Sequence, residues 1–112
     1  MTASTGRDRL QRLHRVLDQA RAREQAAYEQ VRAARDALSM AQTRLDQVRR
    51  GLAERTPASG RTETARRLAD AQRYADRLRL REQVEQEAVE RARAGLAQAI
   101  TALTEAGRRR LA

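Results

Sequence analysis

The chain has no cysteine, no tryptophan, no phenylalanine and no lysine, and its 112 residues include a single proline. The missing cysteine excludes a disulfide framework and a thiolate metal site, and fits a reducing compartment. With Tyr28 and Tyr74 as the only aromatics, the chain lacks the side chains that bury most area in a thick core. No apolar run approaches the roughly 20 residues of a membrane span. None follows the N-terminal Met1–Arg7 either, so no signal peptide is expected. Short length bounds the chain to one domain.

What is present is Ala, Leu, Val and charge. Charged residues make up 35% of the chain, and the net charge is +9, with all 24 basic residues arginine. Residues 1–56 carry 12 Arg against 7 acids, and residues 57–112 carry 12 against 8. The positive charge therefore belongs to the body of the chain rather than to a tail. It favours acidic protein surfaces, nucleic acid or anionic lipid as partners, without choosing among them.

The strongest pattern is a heptad. With Leu10 at position a, the a positions are Leu10, Leu17, Glu24, Val31, Leu38, Leu45 and Leu52. The d positions are Leu13, Ala20, Ala27, Ala34, Ala41 and Val48, so 12 of these 13 are apolar. A seven-residue repeat keeps one narrow stripe facing a partner helix. A second heptad has Leu68, Ala75, Glu82, Val89, Leu96 and Leu103 at a. Its d positions are Ala71, Leu78, Glu85, Ala92, Ala99 and Ala106. Glu82 and Glu85 interrupt it. Because Leu80, Val84 and Ala88 form a nearby i, i+4, i+8 row, the stripe is expected to rotate there or to leave a wet patch.

Thr5 and Asp8 have capping-box spacing, and Pro57 disfavours helix at Thr56. The reading is therefore all-α: one long antiparallel two-helix coiled-coil hairpin over residues 1–112. Helix 1 is expected at about 6–55, a loop at about 56–61 and helix 2 at about 62–107. Ala at most d positions permits close helix approach but limits the area buried. Such a hairpin is weakly stable alone or completed by a partner.

Residues able to carry chemistry are few. The motif signatures of metalloproteases, P-loop nucleotide binders and serine hydrolases are absent. His14, beside the stripe, is read as solvated. Glu82, Glu85, Glu87 and Glu90 are read as ion-pair partners of Arg79, Arg81, Arg91 and Arg93. Arg108, Arg109 and Arg110 stand at a helix C-terminus, where cations oppose the dipole. Phosphate binding is their functional rival, but acids interleave with the arginines and no aromatic platform exists for stacked bases. No enzyme, cofactor, metal or small-molecule substrate is indicated, and nucleic acid is the weaker reading. Tyr74, flanking the seam, is a candidate anchor for a protein partner.

The stretch Arg12-Leu13-His14-Arg15-Val16-Leu17, with Arg21 and Glu24-Gln25-Ala26-Ala27 after it, resembles the FliJ family of flagellar export proteins. Their virulence-system counterparts are the YscO (SctO) stalk proteins. The resemblance spans most of the chain. It implies a hairpin similar to the coiled coil of rotary-ATPase gamma subunits, acting as central stalk of a type III protein export apparatus. The implied partners are a hexameric export ATPase, a membrane export-gate protein and export chaperones. The implied location is cytoplasmic, peripheral at the inner membrane. Family members carry an aromatic residue followed four positions later by Leu early in the second helix, which meets the gate; Tyr74 and Leu78 match that spacing. Arg81 and Glu85 depart from the more apolar pattern on that face. Arg77, Arg81 and Arg108 to Arg110 complete the candidate partner-binding set.

Overall fold

Leu, Ala, Arg, Gln and Glu are strong helix formers, and neither heptad contains proline, so each propagates as one helix. A computed structural model describes residues 2–54 and 64–111; for residues 2–4 and Arg110 it describes the backbone alone. Helix α1 is Thr2–Ala53 and helix α2 is Ala65–Leu111. They form an all-α antiparallel hairpin. The expected loop at 56–61 lies outside the described residues.

The ends follow local chemistry. Helix α1 starts at Thr2, earlier than expected, so Thr5 sits inside it and does not cap it. Nothing before Gly6 opposes the extra turn. At the other end the Glu54 amide donates to the Arg50 carbonyl at 2.9 Å. The Thr64 carbonyl accepts from the amides of Arg67 at 2.9 Å and Leu68 at 3.2 Å, which opens α2. Helix α2 continues through Gly107 to Leu111. Thr43, Thr101 and Thr104 satisfy their hydroxyls on the carbonyls four residues earlier, Ser39, Ala97 and Ile100.

The chain falls into two compact units, 1–35 with 94–112, and 36–93. In the second unit Ala41, Leu45 and Val89 form a buried cluster, with Leu38 and Ala92 packed against it. Counting heptads outward from Ala41 opposite Val89 gives layers in which Ala41 and Ala92 stand against larger side chains, while those toward Leu52 pair two large ones. Leu38 then faces Ala92, and further along Leu45 faces Glu85 and Leu52 faces Leu78. In the first unit Ala27 and Val31 are buried, while Ala34, Leu96, Ala99 and Leu103 are half-buried. The same heptad positions thus form its seam, again with alanine opposite a larger residue.

The expected rotation of the stripe at Glu82 and Glu85 does not occur. Both glutamates are half-buried at their a and d positions. Of the alternative row, Leu80 and Val84 are 64% and 57% exposed, and only Ala88, next to the buried Val89, is half-buried. One cross-helix contact lets the heptad run straight: Arg44 Nε donates to Glu85 Oε2 at 3.1 Å. A charge at a seam position is tolerable when a counter-charge and the solvent edge are both within reach.

Candidate partner-binding surface

Early in α2 the helical repeat brings Tyr74, Arg77, Leu78 and Arg81 to one side. These four residues line a shallow hollow of about 240 Å³. The Arg77 guanidinium lies over the Tyr74 ring, 5.9 Å from its centroid. At an exposed site such a contact contributes about 0.5–1 kcal/mol. It also holds the ring in one orientation, which reduces the entropy lost when a partner covers it. Tyr74 is 46% exposed.

Leu78 is half-buried and belongs to both the seam and the hollow. A methyl group added to Gly51 of α1 would meet Leu78 Cδ1 at 3.8 Å. The seam side of Leu78 is thus held by α1, while its other side faces the hollow. Asp70, Arg73, Asp76 and Arg77 line an adjoining depression of about 520 Å³. There Asp76 accepts from Gln72 Nε2 at 3.2 Å and lies 3.6 Å from Arg79. The surface combines an aromatic ring, an aliphatic side chain and guanidinium groups, the combination that dominates protein-binding hot spots.

The structure brings four of the sequence-predicted residues together: Tyr74, Arg77, Leu78 and Arg81. Arg108 and Arg109 belong to the other unit. Arg109 lines a groove of about 340 Å³ with Arg23, Glu105, Ala27 and Ala106. Arg108 is exposed, and the Arg110 side chain lies outside the described residues. Both described arginines stand in the last turn of α2, where their charge opposes the helix dipole.

The expected pairing of Glu82, Glu85, Glu87 and Glu90 with Arg79, Arg81, Arg91 and Arg93 is corrected. Glu85 pairs across the seam with Arg44, and Arg79 pairs with Asp76. Among the described residues no ion pair joins those two groups of side chains. Exposed same-helix pairs compete poorly with water, whereas Glu85 sits where the seam restricts it. His14 is exposed. Among the described residues no group of three or more His, Asp or Glu is placed to hold a metal ion, and no helix is long and apolar enough to cross a membrane.

Sequence reasoning counted Leu10, Leu13 and Leu17 as seam. They are exposed, as is Val16 beside them. The heptad alone could not reveal this, because it specifies a face and not which stretch of the face is covered. In comparisons with family models, curated proteins and solved structures, the chain matches none.

Proposed function

We propose that the chain is a non-enzymatic central-stalk component of a flagellar or virulence type III protein export apparatus. In this reading it binds and stimulates a hexameric export ATPase and links it to the export gate. Its place is the cytoplasmic side of the inner membrane, which it meets only through partners. The observation that carries the reading is an exposed Tyr74 beside a half-buried Leu78, with Arg77 and Arg81 in the same hollow, on a two-helix hairpin. It joins the resemblance noted in the sequence. The mechanism is mechanical: a helix pair within a ring biases its subunits by contacting their states unequally. Surface arginines interleaved with acids suit reversible polar contacts of that kind.

An adaptor that dimerises through the same seam has less support, because the chain's own helices fill that seam from Ala20 to Leu52. The test is a pull-down with an ATPase assay, using the export ATPase encoded in the same genome. The expected result is a complex with raised hydrolysis. A folded, helical chain that forms no complex and leaves the rate unchanged would sink the proposal.

A further inference from the structure

Midway along α2 an aliphatic pair stands on the side turned away from α1. The seam residues of this stretch are Ala75, Leu78, Glu82, Glu85 and Val89, all buried or half-buried. Leu80 and Val84 lie on the other side of the helix, one turn apart. They are 64% and 57% exposed, against 4% for Val89. Because they point away from the seam, a helix pairing in that seam leaves them open at any length of either helix. A single exposed aliphatic residue is ordinary. Two in one row, edged by charge of one sign, form a surface.

The edge is arginine. Arg73, Arg77 and Arg81 make the neighbouring i, i+4, i+8 row, with Arg77 three residues before Leu80 and Arg81 three before Val84. Arg91, seven residues beyond Val84, continues the same face. All four are exposed, and among the described residues none of them pairs with an acid. Asp76, at the head of the aliphatic row, is engaged by Arg79 at 3.6 Å and by Gln72 at 3.2 Å. Asp70 shares a depression with Arg73 and Arg77 but pairs with neither. Glu87 stands on the far side of Val84. Like charges four residues apart disfavour an isolated helix, and the aliphatic pair adds nothing to the core. A partner with acids beside an apolar row relieves both.

We infer that the outward face of α2 from Arg73 to Arg91 docks a helix of another protein whose apolar i, i+4 row is edged by glutamate or aspartate. Leu80 and Val84 pack on that row, and Arg73, Arg77 and Arg81 meet the carboxylates. A second copy of this chain would set one basic face against another. Two aliphatic side chains are too little for insertion into a lipid surface. Duplex DNA would satisfy the arginines but bring phosphates over Leu80 and Val84. The inference does not rest on the export reading: Leu80 and Val84 lie outside the Tyr74 hollow, and an ATPase indifferent to the chain leaves it standing.

The experiment uses the full chain and two fluorescently labelled synthetic helices, each with one i, i+4 leucine row. One carries Glu along both edges of the row, the other Lys. Fluorescence anisotropy is expected to show the Glu-edged helix binding at least about tenfold more tightly, since like charges across a contact reject a partner. Leu80→Gln/Val84→Gln is expected to weaken that binding at least about tenfold, with helicity unchanged by circular dichroism. Arg73→Glu/Arg77→Glu is expected to reverse the preference, which an unfolded chain could not do. Equal binding of both helices, or binding of neither, overturns the inference. So does binding that survives Leu80→Gln/Val84→Gln but is lost in Tyr74→Ala, which assigns the peptide to the hollow instead. A self-dimer in sedimentation that Leu80→Gln/Val84→Gln dissolves, or duplex DNA bound more tightly than the Glu-edged helix, overturns it as well.

Discussion

Ala41 is 2% exposed, the most enclosed core side chain described, and its small size is what lets Val89 and Leu45 close over it. Enlarging it should therefore harm the fold as trimming its neighbour does. Leu45→Ala should cost about 2–4 kcal/mol through lost burial and a residual cavity. Ala41→Leu should cost about 1–3 kcal/mol by forcing the helices apart. Met40→Ala, one position away but 61% exposed, should stay within about 0.5 kcal/mol of the parent. Thermal melts followed by circular dichroism rank the three. The Arg44–Glu85 pair makes a different prediction. Glu85 occupies a seam position with its side chain 14% exposed, while Arg44 is 46% exposed and well screened. Arg44→Ala should cost no more than about 1 kcal/mol, whereas Glu85→Leu should be neutral or stabilising by about 1 kcal/mol. A clear loss of stability in Glu85→Leu would mean that the ion pair contributes more than apolar packing at that layer.

At the scale of the helices, the heptads told most of the story in advance. Both helices and the faces they pair were legible, because a seven-residue period is repeated along each helix. The register was not legible. Sliding one helix by seven residues again sets a positions against d positions, so the pattern is satisfied more than once. The choice falls to details the period ignores: Ala41 against Val89, and Glu85 within reach of Arg44. The Tyr74 hollow was readable from its four-residue spacing, but the Arg77 contact with the ring depended on side-chain placement. Two glycines inside the helices, Gly95 within α2 and Gly51 in the last turn of α1, offer a test of the helices themselves. An added Cβ meets nothing within 4 Å at Gly95, and meets only Leu78 at ordinary contact distance at Gly51. Gly95→Ala and Gly51→Ala should each raise stability by about 0.5–1 kcal/mol, the helix-propensity difference. Hydrogen exchange should be slowest at amides 38–48 of α1, beside the buried cluster, and fastest at 5–17. Equal protection along α1 would mean that the early segment is covered in solution.

For the molecule as a whole, a net charge of +9 spread over both halves makes association long-ranged and salt-sensitive. The proposed complex with an export ATPase should weaken as sodium chloride rises from 0.1 to 0.5 M, chiefly through slower association, because surface charges are screened over about 10 Å at the lower salt. Affinity that ignores salt would mean that the apolar contacts of Leu78 or of Leu80 and Val84 hold the complex together. One further property follows from where the aromatic rings stand. Tyr28 and Tyr74 are 55% and 46% exposed, one on each helix, and no tryptophan obscures them. Both rings stay about half exposed in the folded chain, so near-ultraviolet optical signals should report chiefly the loss, on melting, of the helix turn that holds Arg77 over Tyr74. The same signals should respond when something covers Tyr74 or displaces the guanidinium above it. With Tyr28→Phe to silence the other ring, the protein carries its own label-free optical gauge of occupancy at the Tyr74 hollow.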